Sequence, residues 1–347
     1  MEKIILGRTG LTVTRTSFGA LPIQRRSMDD AIPIFKKAYE SGITLFDTAR
    51  GYTDSEAKIG RALSPVRGNI VITTKCKPKN GGELLEMLET SLSNLRTDYV
   101  DVLQFHFAAF VPKPEDGSGI YEAMLKAREQ GKIRFIGLTA HALPVAMEAA
   151  QSGLYDTVQY PLSLLSSDRD LQLIDVCKQH HVGLLAMKAI GGGLIRHIPA
   201  AFAFLRRFEN VVPLWGIEKM EELEEFIALE ANPPQWGAEI EAAVANERAE
   251  LGGNFCRGCG YCLPCPAQID IPTVARSGLG SHRLPAQIFA SPEWQHKVRR
   301  ADECVECKEC ASRCPYELKT YQLIKDQAKI YWQTLQDMRI PLAGEPA

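Results

Sequence analysis

The stretch NIVITTKCKPKNGGELLEMLETSLSNLRTDYVDVLQF, residues 69–105, decides the fold. It opens on the β-branched run NIVITT (69–74), passes through GELLEMLETSLSNL with its leucines at helical spacing, and returns to a second strand-like run, DYVDVLQF (98–105). Two strand-type runs joined by an amphipathic helix make a strand–helix–strand unit, the crossover that parallel strands require. Outward from this stretch the alternation repeats. Upstream lie TSFGA (16–20) and ITLF (43–46), and downstream RFIGLT (134–139), DTVQY (156–160), VGLLAM (182–187) and VVPL (211–214). The helical runs AIPIFKKAYESG, YEAMLKAREQG, LPVAMEAAQSG, DLQLIDVCKQH and KMEELEEFIALE fall between them, most opened by a polar cap or closed by glycine. Eight such units predict an α/β chain folded as a (β/α)8 TIM barrel, with an open doubly wound sheet as the runner-up. The opening KIILGRTGLTVTR alternates apolar and polar residues around a glycine turn and reads as a hairpin closing one end of the barrel.

The 347 residues are 45% hydrophobic and 24% charged, enough apolar material for one barrel plus a smaller appendage. Forty basic against 42 acidic residues leave a formal charge of -2 with no long basic run, which argues against a nucleic-acid partner. No stretch approaches the roughly 18 uninterrupted apolar residues of a membrane span. The opening MEKIILGRTG has neither a cationic leader nor a long apolar segment, so a cytoplasmic location is expected.

Eight of the ten cysteines fall between Cys256 and Cys314. They form two runs, Cys256-x2-Cys259-x2-Cys262-x2-Cys265-Pro266 and Cys304-x2-Cys307-x2-Cys310-x3-Cys314-Pro315. Three thiolates at x2 spacing can wrap three corners of a cubane, and the fourth, set before proline, normally reaches the other cluster. This predicts two [4Fe-4S] clusters, one on Cys256, Cys259, Cys262 and Cys314, the other on Cys304, Cys307, Cys310 and Cys265. The first run has x2 before its last cysteine where the pattern has x3, which leaves the crossed partition open. Two zinc sites with four cysteines each would also use eight thiolates, but zinc modules usually separate cysteine pairs by a dozen or more residues. Cys76 and Cys177 stand alone as small buried hydrophobes. The expected organisation is a barrel over 1–232, a linker over 233–252 beginning in ANPPQWG, and a ferredoxin-like iron–sulfur domain with a C-terminal helix over 253–337.

Barrel enzymes carry their catalytic groups where strands end. Three such ends bear groups suited to proton transfer: Asp47 and Tyr52 in LFDTARGYTDSE, Lys75 in VITTKC and His106 in VDVLQFHF. A lysine near the tyrosine is expected to lower the phenol pKa, with the aspartate holding that lysine charged and the histidine orienting a substrate carbonyl. The run Gly191-Gly192-Gly193 could cradle a diphosphate with backbone amides, or serve only as a flexible turn. His141, after the fifth strand, is a candidate for facing substrate.

The segments FDTARGYTDSEAKIGRAL, VITTKC, LRTDYVDVLQFH, IGLTAH and LLAMKAIGGG resemble, in order and spacing, the blocks of the aldo-keto reductase family across roughly residues 3 to 230. Together with the cysteine-rich region, the whole chain is similar to that family's ferredoxin-type branch, in which the barrel is fused to a domain with two [4Fe-4S] clusters. The resemblance implies a catalytic tetrad of Asp47, Tyr52, Lys75 and His106, and NAD(P)H-dependent reduction of a carbonyl with Tyr52 as proton donor. It further implies that Thr139 and Gln159 hold the nicotinamide carboxamide, that Met187 covers the ring beside Lys188, and that Gly191, Gly192, Gly216, Lys219 and Glu225 belong to the phosphate and adenosine segments. Ala140, Trp215, Glu218 and Phe226 depart from the family pattern at asparagine, small, serine and asparagine positions respectively. Glu218 is expected to repel a 2'-phosphate unless Lys219 compensates, so NADP(H) is favoured over NAD(H) by a small margin.

A nicotinamide gives two electrons as hydride, whereas a cluster passes one, so the two halves need a bridge. A flavin such as FMN, an external ferredoxin or flavoprotein partner, or clusters that only stabilise their domain each resolve this. The expected substrate is a small carbonyl compound or alcohol. The rival reading is an iron–sulfur electron carrier whose barrel only binds a ligand or docks a partner.

Overall fold

A computed structural model describes residues 1–251, 255–258, 260–282 and 286–342. The chain divides into two units, Met1–Gly191 with Ile195–Glu247, and Gly192–Leu194 with Arg248–Ala347. In the first unit, strands β1 (Lys3–Ile5) and β2 (Thr12–Thr14) pair as an antiparallel hairpin. Eight parallel strands then close a barrel: β3 (Ser17–Gly19), β4 (Leu45–Asp47), β5 (Val71–Cys76), β6 (Val100–Phe105), β7 (Ile133–Thr139), β8 (Thr157–Pro161), β9 (Gly183–Met187) and β10 (Val211–Gly216). They follow one another in chain order around the ring, and β10 closes on β3. Every strand read from the sequence lies on one of these eight, and the chain is a (β/α)8 barrel.

The surrounding helices are α1 (Met28–Glu40), α2 (Ser55–Leu63), α3 (Gly81–Leu95), α4 (Ile120–Glu129), α5 (Leu143–Gln151), α6 (Asp168–Gln179), α7 (Ile198–Arg206) and α8 (Met220–Ala231). Several begin where a short polar side chain meets an otherwise orphaned N–H, as Ser27 does for Asp30, Asn80 for Glu83 and Ser167 for Asp170. A further helix, α9 (Ala238–Leu251), follows ANPPQWG.

Strand parity sorts the barrel interior into layers. At the N-terminal end Leu45, Val71, Val102, Leu185 and Val212 meet Leu6, Leu11 and Val13 of the hairpin in one buried cluster, so the hairpin closes this end. Two residues further along β4, β5 and β6 the inward positions turn polar, with Asp47, Thr73 and Gln104 all buried, whereas β9 and β10 continue with Met187 and Leu214. A polar layer inside a barrel persists only if its groups bond one another. These groups form the floor of the site.

The second unit holds α10 (Ile271–Val274), α11 (Ala286–Phe289), α12 (Pro292–Arg299), α13 (Glu309–Ser312) and α14 (Thr320–Asp337). Ile269, Ile271, Val274, Phe289 and Val298 pack on the buried face of α14, where the Tyr331 hydroxyl donates to the Phe289 carbonyl at 2.8 Å. Among the described residues no helix is long and apolar enough to cross a membrane.

Candidate active site

β4 delivers Asp47 to the barrel interior, and the chain beyond it stays pinned to β5: the Thr48 N–H donates to Thr73 O at 2.8 Å and the Arg50 N–H to Lys75 O at 2.9 Å. A turn closed by the Tyr52 N–H on Ala49 O then sets Tyr52 above β5. On β5, Val71, Thr73 and Lys75 share the inward parity. The Lys75 ammonium donates to Asp47 Oδ1 at 2.7 Å, to Oδ2 at 2.6 Å and to the Thr48 carbonyl at 2.6 Å. Thr73 Oγ1 donates to Asp47 Oδ1 at 2.6 Å. Lysine and aspartate are both almost wholly buried, at 1% and 5% side-chain exposure.

The same ammonium lies over the Tyr52 ring, 5.1 Å from its centroid, and the His106 ring stands edge-on to Tyr52 at 5.8 Å. His106 follows β6, its N–H extending the ladder to Cys76 O at 2.7 Å. The next residue, Phe107, adopts a left-handed φ of 58°, and its N–H donates to Thr139 Oγ1 at 3.1 Å. Its ring contacts His106 at 4.5 Å and stacks on His141 at 5.0 Å. The structure thus brings Asp47, Tyr52, Lys75 and His106 together, with His141 one ring further along.

The electrostatics depart from the sequence expectation in one respect. The phenol of Tyr52 is pushed up from its ordinary value, first by burial and then by the charge of Asp47. The Lys75 ammonium does not offset this, because the Asp47 carboxylate that it contacts through both oxygens balances its charge. Burial lowers Lys75, and the neighbouring Asp47 and Glu56 carboxylates oppose that shift. Burial, with Lys75 and Lys77 nearby, lowers His106 to about 3, so its imidazole is neutral. His141 is likewise lowered, by burial, Lys188 and His106 in that order.

The implied nucleotide residues sit on successive strand ends. Thr139 and Gln159 are direct cross-strand partners on β7 and β8. Met187 ends β9, and Lys188 and Gly191 turn away from it with left-handed φ values of 56° and 61°, closed by the Gly191 N–H on Lys188 O at 2.7 Å. Gly192 continues left-handed at 69°. Gly216 ends β10, Lys219 caps α8, and Glu225 is exposed on that helix.

Glu218 does not stand as an isolated negative charge: Arg25 binds it through Nε at 3.0 Å and through a second, shorter contact, and Arg26 lies 3.6 Å away. Trp215 and Phe226 stack on each other with centroids 4.6 Å apart. Their two departures from the family pattern are therefore one packing event between β10 and α8. Sequence reasoning missed Arg25, Arg26, Gln104 and the fully buried Lys58, which donates to the carbonyls of Ile23 and Gln24 at 3.2 and 3.3 Å and so anchors the loop bearing both arginines. The available signal for Gln104 was a polar residue at an inward position of the apolar run VDVLQF.

In the second unit, Cys262, Cys265, Cys304, Cys307 and Cys310 line one small pocket. Cys256, Cys262 and Cys314 line another. Cys259 lies outside the described residues. Cys76 and Cys177 are buried in the barrel unit, and burial first raises each thiol to about 12.

Comparison with known proteins agrees with the barrel fold. The aldo/keto reductase family model matches residues 3–200. The chain belongs to the aldo/keto reductase family. A 4Fe-4S dicluster domain model matches residues 255–319, so the protein joins an aldo/keto reductase barrel to an iron–sulfur domain. Among curated relatives, L-galactose dehydrogenase of Arabidopsis thaliana is 30% identical over 214 residues, covering 56% of this chain and 67% of that protein. The NADH-specific methylglyoxal reductase of Escherichia coli is 26% identical over 225 residues, covering 56% and 69%. The chain spans about two thirds of the length of the curated relatives it matches. An aldo-keto reductase from Klebsiella pneumoniae, solved in complex with NADPH, superposes with a TM-score of 0.62 at 21% identity over 71% of this chain and 95% of that one. At that identity the likeness is one of fold.

Proposed function

We propose that this aldo/keto reductase reduces a carbonyl group of a small organic molecule, or oxidises the matching hydroxyl, with Tyr52 as proton donor and NADP(H) or NAD(H) as partner. The observation that carries the reading is the buried Lys75–Asp47 ion pair beneath the Tyr52 ring, with a neutral His106 at that ring's edge. Such a pair, removed from water, is costly to maintain, and its place at a strand's open end points to chemistry. The residues present fit a nicotinamide: Thr139 and Gln159 pair side by side at the mouth and offer a hydroxyl and an amide to its carboxamide. When bound, the nicotinamide supplies hydride to the carbonyl carbon. Tyr52 holds a proton at its hydroxyl and gives it to the carbonyl oxygen, and solvent returns a proton to the phenol. His106 orients that oxygen by hydrogen bonding, and the Lys75–Asp47 pair fixes the floor beneath the Tyr52 ring.

Arg25 and Arg26 cancel the repulsion expected of Glu218, and this keeps the preference with NADP(H). Relatives use both forms, since the Klebsiella protein was solved with NADPH and the E. coli enzyme is NADH-specific.

For the second unit we assign one [4Fe-4S] cluster to Cys256, Cys259, Cys262 and Cys314 and the other to Cys304, Cys307, Cys310 and Cys265. The sharing of cavity walls between the two cysteine runs supports this crossed partition, because Cys265 faces the second run's cavity and Cys314 the first run's. Bound clusters pass single electrons, which suits an external ferredoxin or flavoprotein as partner and a cytoplasmic setting that keeps thiolates reduced.

Tyr52→Phe tests the assignment. Carbonyl reduction is expected to fall by roughly 10²–10⁴-fold with the fold intact; full turnover would show that the acid lies elsewhere. Anaerobic titration of the cluster-loaded protein with NADPH, NADH and FMN, followed by cluster and flavin absorbance, identifies the electron partner.

A further inference from the structure

Lys77 takes no part in the proton transfer, yet it stands at the mouth of the same site. It lies two residues past Lys75, just beyond the end of β5, and its ammonium is 5.5 Å from the centroid of the Phe107 ring. That ring is half-buried, contacts His106 and stacks on His141. A left-handed φ of 58° is rare for an aromatic residue, and two bonds to Thr139 hold it there. The Phe107 N–H donates to Thr139 Oγ1 at 3.1 Å, and the Ala108 N–H to the Thr139 carbonyl at 2.8 Å. The ring is thereby fixed between His106 and Lys77.

The charges of Lys75 and Lys77 are spent differently. Lys75 is paired with Asp47, and that carboxylate is shared out within the floor: Gln104 and Gln159 donate to it at 3.4 and 3.5 Å, and Gln104 donates to Gln159 at 2.9 Å. Lys77 is exposed, and among the described residues no carboxylate oxygen lies within 4.0 Å of its ammonium. The dinucleotide does not account for it either. The residues implied for the phosphate and adenosine groups follow β9 and β10, and β5 lies four strands from β9 around the closed ring, on the opposite side of the barrel. The charge of Lys77 nonetheless reaches the reacting end of the site, where it helps to keep His106 neutral.

Resting on the carbonyl-reduction reading, we propose that Lys77 is a specificity-determining residue and that the substrate is a carbonyl compound bearing a carboxylate. The carbonyl oxygen meets Tyr52 and His106, the body of the molecule runs past Phe107, and the carboxylate accepts from the Lys77 ammonium. A carboxylate there gains a charge-assisted hydrogen bond that a neutral group of the same shape does not.

The test is steady-state reduction of 4-carboxybenzaldehyde and of its methyl ester by the cluster-loaded protein, with NADPH and with NADH. The ester carries the more electrophilic aldehyde, so a preference for the acid reports contact with the carboxylate. The wild-type kcat/KM is expected to favour the acid by roughly tenfold, carried by KM, and to lose part of that margin as salt is raised. Lys77→Gln should bring the ratio to within about twofold of unity, and Lys77→Arg should keep most of it. A merely structural role would weaken both aldehydes alike and leave the ratio as in the wild type, which overturns the assignment to Lys77. Equal use of acid and ester by the wild type overturns the inference while leaving carbonyl reduction in place, and that comparison needs no variant to fold. Reduction of neither aldehyde with either nucleotide removes the carbonyl-reduction reading and this inference with it.

Discussion

Lys75 meets three acceptors within 2.7 Å, and the Asp47 carboxylate among them balances its charge. Burial and then the Asp47 charge raise the phenol, so Tyr52 stays protonated well past neutrality, which suits a proton donor more than a base. His106, lowered to about 3, stays neutral across the same range. The kcat/KM for carbonyl reduction is therefore expected to show no limb near pH 6.5, and a titration there would reveal an imidazolium at work. Stability carries the complementary sign. Between His106's ordinary 6.5 and its folded value of about 3 the unfolded chain binds the extra proton, so its contribution is fully present above pH 6.5 and is lost as pH falls toward 3. Denaturant unfolding at pH 7 and pH 4.5 should show a loss that shrinks in His106→Gln. Lys75→Met strands the buried Asp47 charge and should cost about 3–5 kcal/mol in the same assay, whereas Tyr52→Phe should change it little. The four residues at strand ends were legible because barrel enzymes place their chemistry there. Their mutual charges were not, since spacing along a chain says nothing about which charges balance one another once buried.

β10 and α8 show how a pair of substitutions can look like two losses and be one contact. Trp215 points away from the barrel axis into the helical layer, stacked on Phe226 at 4.6 Å and on Phe202 at 5.8 Å. Phe226→Asn should destabilise the barrel by about 3 kcal/mol, in the range of large aromatic truncations. The double variant Trp215→Gly, Phe226→Asn should cost clearly less than the sum of its single variants, because each single change already removes the shared contact. Urea unfolding of the three variants decides this, and additive costs would mean the rings do not depend on each other. The strands were readable for a related reason: inward parity and β-branched runs are local properties. The Arg25–Glu218 contact was not, because it joins positions 193 residues apart.

The two units set different demands on the chain. The barrel is held by apolar layers and a satisfied polar floor, while the cysteine unit packs a smaller core around α14. If the clusters cross between runs, Cys265→Ser should abolish the cluster held by Cys304, Cys307 and Cys310, and Cys314→Ser the other one. Each variant should then retain about four of about eight iron atoms per chain. Iron and sulfide analysis with electron paramagnetic resonance of the reduced protein checks this, and loss of the cluster bound by the mutated residue's own run would reverse the partition.

Local chemistry sufficed for the strand and helix order, the hairpin, the two cysteine runs and the groups at the strand ends, because periodicity, turn residues and ligand spacing are all written over short distances. The neutral phenol and imidazole, the masking of Glu218 and the triangle of Asp47, Gln104 and Gln159 arose only in the folded chain. They depend on desolvation and on donors and acceptors drawn from separate strands, and no linear reading contains either.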